Sequence, residues 1–489
     1  MVYFLMIFAD SLFIPFFTAV FFLHFILPRR LRWVVLLIAS YLFYGFLEVS
    51  FSVCLLVITI FVYLAGLWIG HGRIQRKWVL FTGLAFPLGA LVYFKYTHFF
   101  LTILRDIFHS APGVTPPVSF SIVMPVGISF YVFKAISYLL DVYHKKMPAE
   151  RHFGYFALYI SFFPQLLAGP IERSTAFLPE LKREGRFQLD HLRAGLKLFI
   201  WGLFKKLVVA DNLARFVGQA FSETGSQAGF SLLLGAIFFS FQIYCDFSGY
   251  SDIAIGLGRM LGYRTHVNFN YPYFSKNIGE FWSRWHISLS WWLRDYLFLP
   301  LAYSTMRKME KFARFPLKLE SQAYIWATMV TMLLAGLWHG ANWTYVTWGG
   351  LIGVFLVLSF LTKKPRKNLV KMLWRNRAKP VLDGFRIVYT FFMITLAWIF
   401  FRAESVADAL TYISRISLRM ESKGMGGIIF YSVIVLVFML AEKMVKDFKP
   451  GNWLSRIPSP IRLAGYALVV CIIIIFGADN SNEFLYFSF

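Results

Sequence analysis

Charge is what this chain has least of. Only 15% of its 489 residues are Asp, Glu, Lys or Arg, against about 25% in an ordinary soluble chain. Acidic residues are scarcest, 25 against 49 Lys and Arg, for a net charge of +24. Cysteine is also rare. Cys54, Cys245 and Cys471 sit far apart in apolar runs without CxxC spacing, so no redox or metal motif is visible and inert buried thiols are expected. The chain has no GxxxxGK[ST], no clear GxGxxG after a strand, no GxSxG elbow and no HExxH, which argues against ATP-driven transport and serine-hydrolase chemistry. It also lacks 20–50-residue repeats and low-complexity tracts.

What is present is apolar. Hydrophobic residues make up 58% of the chain and aromatic residues 20%. Apolar runs fall near 2–27, 33–49, 51–70, 78–101, 122–143, 153–170, 194–212, 229–246, 322–338, 343–362, 383–401, 427–445 and 463–478. Runs near 20 residues that repeat in this way predict an all-α polytopic membrane protein, with aromatic side chains facing lipid and forming interfacial belts. The run 153–170, broken by Pro164 and Pro170, reads as re-entrant. Val2–Leu27 has no basic leader and is too long for a signal segment, so a retained first helix is expected.

The positive charge clusters in short loops, and no nucleic-acid recognition motif accompanies it. It therefore reads as the positive-inside bias, and nucleic acid is not expected as a partner. Arg29, Arg30 and Arg32, the run 71–77, the run 144–151, the eight Lys and Arg of 363–380, and 443–462 all read as cytoplasmic. The mixed loop 402–425 reads as outer. Both termini then lie outside, and the chain reads as one integral membrane domain, 1–489, with an extracytoplasmic tail, 479–489.

Three stretches could carry chemistry. In Leu333–Tyr345, His339 stands in an apolar run between Gly336 and Gly340, where a titratable ring needs a partner or a task. The glycines would let a neighbouring backbone approach. Asn342, three residues on, would share the histidine's face on a helix and orient the ring. A histidine satisfying a buried carbonyl remains open. In 280–295, Trp282, His286, Leu289 and Leu293 share a face at helical spacing, and Glu280 and Arg284 can pair; an interfacial amphipathic helix would look the same. In Tyr244–Asp252, Asp246 and Asp252 flank a Ser-Gly-Tyr turn that could hold a cation, carry protons or cap a helix break, with capping the blander reading. No metal-ligand triad appears. The density of ionisable groups across 246–295 suggests a protein-enclosed, partly wet cavity.

Met124–Phe133, Tyr244–Asp252, Asn268–Tyr273, Phe281–Leu299 and Gly336–Tyr345 together resemble the membrane-bound O-acyltransferase (MBOAT) family, in particular its bacterial branch of alginate-acetylating, peptidoglycan-acetylating and D-alanyl-transferring proteins. The resemblance covers most of 30–350. It implies a ring of about 11–13 spanning or re-entrant helices around a thin central tunnel, and an acyl group passed from a cytoplasmic donor to an outer acceptor. It makes His339 the essential histidine and His286 a second one, with Asn342, Arg284 and Trp338 inside the matched stretches. Neutral imidazole, with a reference pKa of about 6.5, can take a proton from an acceptor hydroxyl.

Phe484-Leu-Tyr-Phe-Ser-Phe489 reads F-x-Y-x-x-F. It resembles the C-terminal motif of the small partner of the D-alanyl system, whose tyrosine carries the acyl group. That makes Tyr486 a candidate carrier; an interfacial aromatic anchor is the other reading. After Asp295–Leu301 the chain continues Ala302-Tyr-Ser-Thr-Met-Arg-Lys-Met309, where many alginate-type members carry Gly-Gly-Asn-Arg, so the acceptor stays open.

The expectation is a bacterial inner-membrane O-acetyltransferase with no bound cofactor and acetyl-CoA or another thioester as donor. A cell-envelope polysaccharide would be the acceptor, membrane lipids the surround, and an SGNH-type or similar extracytoplasmic transferase the partner. D-alanyl transfer to teichoic acids, a solute or lipid transporter, and a non-catalytic scaffold are the alternatives.

Overall fold

The computed structural model describes residues 12–72, 75–109, 123–183, 186–309, 318–366, 368, 379–418, 425–448, 458–477 and 485. Residues 2–11 of the first run, 369–378 of the basic 363–380 loop, 419–424 of the mixed loop, 449–457 and Tyr486 lie outside the described residues.

Helices follow the apolar runs, and no strand occurs among the described residues. Seven helices there are long and apolar enough to cross a membrane: Val49–Gly70, Arg76–Leu104, Gly229–Met260, Trp343–Leu361, Pro380–Arg402, Gly427–Lys446 and Ser459–Phe476. Ser459–Phe476 buries none of its side chains; Ile474 is 75% exposed. A helix that apolar, with no protein cover, is stable only where lipid replaces water. The protein is a multi-pass membrane protein.

The described residues group into two compact units. The first takes in 1–202 and 250–266, and the second 203–249 and 267–489.

In the first unit, helix Ile128–Tyr143 is buried along nearly its whole length. The run 153–170 forms two short buried helices, Phe153–Ser161 and Phe163–Leu166, as its prolines predict. Gly127 has φ +78°, and a Cβ there would come within 2.4 Å of Leu166 O, so only glycine lets the broken segment pack so closely. The buried Lys134 donates to Tyr159 O at 3.3 Å and Gln165 Oε1 at 3.4 Å. Tyr159 lies in the last turn of Phe153–Ser161, where a cation meets the negative end of the helix dipole.

In the second unit, Leu319–His339 and Trp343–Leu361 form a tight hairpin. A Cβ on Gly336 would stand 2.2 Å from Tyr345 O, and one on Gly349 2.2 Å from Met332 O. The two backbones therefore touch at Gly336 and Gly349, as expected of Gly336; Gly340, the other glycine beside His339, lies beyond the helix end and faces the Tyr345 ring instead.

Three local expectations are corrected. Gly229–Met260 is one 32-residue helix, so Asp246 and Asp252 do not flank a turn; six positions apart, they lie on different faces. The stretch 280–295 is not one helix: it breaks at Trp285–His286 into Ile278–Arg284 and Ile287–Leu293, with His286 at φ +40°. The helix of His339 ends at that residue, with Gly340 extended, so His339 and Asn342 share no helical face.

Candidate active site

His339 is the last residue of its helix and 4% exposed. Its ring meets Trp338 at 4.8 Å, Trp348 at 5.0 Å and Phe401 at 5.3 Å, all near edge-on. Trp348 stacks on Trp398 at 5.5 Å, and Trp398 packs on Trp285 at 5.1 Å. Two helix ends and a helix break thus supply an aromatic cage, whose rings hold the imidazole by shape and exclude water.

One side of the cage is open. His339 lines a cavity of about 210 Å³ together with Trp282, Arg294, Tyr324, Thr331 and Trp348. The Thr331 hydroxyl and the Trp348 indole N–H are buried and meet no hydrogen-bond partner among the described residues. Buried polar atoms without partners are costly in a folded protein, and a ligand in this cavity would relieve the cost.

His286 lies in the same constellation, since its ring is 6.5 Å from the Trp338 ring that also meets His339. Phe247 packs edge-on against it at 4.6 Å. The left-handed backbone of His286 costs about 1–3 kcal/mol in a non-glycine residue and persists only where its surroundings impose it. Here Ile287 N donates to Asn268 O at 2.8 Å, and Asn270 N to Arg284 O at 2.9 Å. The Asn268 side-chain oxygen accepts from Ser288 N at 3.2 Å and Ser288 Oγ at 2.9 Å, and lies 3.1 Å from His286 Nδ1. An amide oxygen can only accept, so Nδ1 carries the proton and Nε2 the lone pair. Burial pushes the imidazole down to about 3, which keeps it neutral at ordinary pH.

In the sequence Asn268 stands out only as part of the stretch Asn268–Tyr273. Its side chain is the hub that fixes the tautomer of His286. Asn268→Leu removes three acceptor contacts and is expected to cut activity by about 10²-fold. Asn268→Asp keeps the acceptor but sets an anion beside Nδ1, which raises the His286 pKa from about 3 toward neutrality. The Asp variant should then lose activity as pH falls below about 6, as His286 gains a proton. A rate profile from about pH 5 to 8, with the wild type showing no such limb from His286, checks the assignment.

The remaining predicted residues divide. Arg284 pairs with Glu280 at 2.7 Å, as the spacing suggested. Asn342 caps Trp343–Leu361 by accepting from Thr344 N at 3.0 Å, and it donates to Glu404 O at 2.9 Å; it seats the helix that carries Trp348 and does not orient His339. Asp246 is buried in an ionic cluster with Lys206 and Asp211. Asp252 is half-buried in the first unit, whereas both histidines belong to the second. No group of three or more His, Cys, Asp or Glu that could hold a metal occurs among the described residues.

Residues 150–403 match the MBOAT, membrane-bound O-acyltransferase family. That span holds both histidines, the Trp338 and Trp348 walls and Asn268. The chain belongs to the membrane-bound O-acyltransferase family. Over 409 residues the acyltransferase is 38% identical to the probable alginate O-acetylase AlgI of Pseudomonas aeruginosa, across 83% of this chain and 73% of that protein. It is 34% identical over 449 residues to the peptidoglycan O-acetyltransferase of Helicobacter pylori, across 83% and 79%. It is 29% identical over 322 residues to the teichoic acid D-alanyltransferase of Streptococcus thermophilus, across 63% and 74%.

Proposed function

We propose that this acyltransferase sits in a bacterial inner membrane with both termini outside and O-acetylates an extracytoplasmic cell-envelope polysaccharide. The acetyl group comes from a cytoplasmic thioester, acetyl-CoA. The observation that carries this reading is His339, caged by aromatic rings at the wall of a cavity with unpartnered polar atoms. The 34–38% identity to proteins named for alginate and peptidoglycan O-acetylation supports acetyl as the group and a glycan as the final acceptor.

In the reaction, the imidazole of His339 takes the proton of an acceptor hydroxyl while its oxygen attacks the thioester carbonyl. The carbon–sulfur bond breaks, and the departing thiolate takes the proton back from the imidazolium. The thiol leaves and an oxygen ester remains. Thr331 and Trp348 line the space where a carbonyl or amide of the donor would find hydrogen-bond donors. The first acceptor is the phenol of Tyr486. With a pKa of about 10 it is protonated at neutral pH and needs such a base. An SGNH-type or similar transferase then moves the acetyl from the tyrosine to the glycan.

Purified protein incubated with acetyl-labelled CoA should carry the label on its C-terminal peptide, and Tyr486→Phe should abolish that label together with glycan acetylation. The added mass identifies the acyl group. Full glycan acetylation by Tyr486→Phe would overturn the carrier step, and a D-alanyl adduct would overturn the assignment of acetyl.

A further inference from the structure

Beside His339 stand two buried indole N–H groups, Trp282 Nε1 and Trp348 Nε1, that meet no acceptor among the described residues. Both side chains line the cavity of about 210 Å³ with His339, and all three residues belong to the second unit. An indole nitrogen can only donate, so each of these groups is a buried donor whose cost an acceptor in the cavity would relieve. Neighbouring rings fix where they lie. Trp348 is 1% exposed; its ring meets His339 edge-on at 5.0 Å, stacks on Trp398 at 5.5 Å and packs on Phe401 at 5.2 Å. Trp282, three residues before the break at Trp285–His286, meets the Trp348 ring at 5.9 Å.

Distance sorts the donors of this cavity. Thr331 lies eight residues before His339 on the same helix, about 12 Å along its axis at 1.5 Å per residue. Helical threonines elsewhere turn back on their own backbone: Thr59 Oγ1 donates to Leu55 O and Thr390 Oγ1 to Arg386 O, each at 2.7 Å. The Thr331 hydroxyl makes no such bond, yet it is too far from the imidazole to touch the reacting carbonyl. Reacting atoms must approach to about 3–3.5 Å, so a carbonyl attacked by an oxygen that His339 deprotonates lies within reach of the Trp348 ring. Thr331 is left to a more distant part of the donor.

We infer that the indole N–H groups of Trp348 and Trp282 form the oxyanion hole of the acyl transfer. This rests on the reading that an acceptor hydroxyl attacks a thioester beside His339. As the acceptor oxygen bonds to the carbonyl carbon, the carbonyl π pair moves onto the carbonyl oxygen. The two indoles donate to that oxyanion and keep their protons throughout. When the pair returns, the carbon–sulfur bond breaks and the thiolate leaves with the proton that His339 held. Neutral donors held by packed rings, away from water, need no reorganisation when the charge appears. Trp348 and Trp282 are therefore catalytic residues, not only walls of the cage.

The test removes the N–H and keeps the shape. 3-Benzothienylalanine, which carries sulfur in place of the indole N–H, replaces Trp348 or Trp282 in the full-length protein. Thiol release from acetyl-CoA and from D-alanyl-CoA is followed in permeabilised cells, which keep the polysaccharide and the partner enzymes in place, against cells lacking the protein. Each replacement should cut kcat about 10²-fold, as loss of one oxyanion-hole donor does, and leave the donor KM within about twofold. The melting temperature of the purified variants should match that of the wild type. Trp348→Phe, which also changes volume, should lose at least as much rate. Wild-type kcat in both sulfur variants would overturn the assignment. A raised KM at unchanged kcat would overturn it too, because it marks ground-state binding, and so would a fall in melting temperature that tracks the lost rate. The ratio of variant to wild-type kcat judges the indoles with either thioester, whereas the preferred thioester judges the assignment of acetyl.

Discussion

His339→Ala is expected to abolish acyl transfer while the protein stays in the membrane at its normal level. General-base assistance is worth about 10²–10⁴-fold, or roughly 2.7–5.5 kcal/mol of barrier. Without it a phenol or sugar hydroxyl would have to attack while still protonated. The truncation also leaves a gap among Trp338, Trp348 and Phe401, which pack on the imidazole at 4.8–5.3 Å. His339→Gln separates the two effects, since it fills much of the volume and offers no base. If glycan acetylation persists at the wild-type rate in His339→Gln, the base assignment is wrong. If Ala and Gln are both inactive and both present in the membrane at normal level, the lost base rather than lost volume accounts for the defect.

The second large effect is structural. Gly336→Val should strip most of the protein from the membrane, because the new side chain meets backbone. The first added carbon already stands 2.2 Å from Tyr345 O and 3.2 Å from the Gly349 Cα, and backbone cannot swing aside as a flexible side chain does. Opening the hairpin also moves the helix end that carries His339. Gly336→Ala should lower thermal stability and activity together. The control is Gly384→Ala, in helix Lys379–Arg402, where an added Cβ meets nothing within 4 Å. That change should be neutral or stabilising by up to about 1 kcal/mol, as helical Gly→Ala usually is. Thermal unfolding followed by size-exclusion chromatography reads all three, and equal stability for the two alanine variants would refute the close-packed crossing.

Asn342 caps the second helix of the hairpin instead of orienting His339. Extending the helix past His339 placed Asn342 on the histidine's face, yet Gly340 followed by an asparagine and Thr344 is also the pattern of a helix stop and a new N-cap. The stop signal at Gly340 overrides the 3.6-residue period that would have carried the helix on to Asn342. Asn268 is a different case. It lies 18 residues from His286, in a loop with no periodicity, and nothing local announces that its amide will meet one histidine and a serine. Asp246 is similar, because its partner Lys206 is 40 positions away on a π-helical segment.

By itself the sequence determined the class of the protein, the order of its helices, the break in the 153–170 segment and the close approach at Gly336. These follow from composition and local spacing: an apolar helix satisfies its own backbone in lipid, a proline breaks it, and a glycine lets another helix touch it. Only the tertiary structure decided which polar groups meet. It ended the helix at His339, turned His286 left-handed against Asn268, left a cavity beside one histidine, and set a buried lysine between two aspartates. Those choices are made by contacts between distant segments, where a buried polar atom must find a partner wherever the packing brings one within reach.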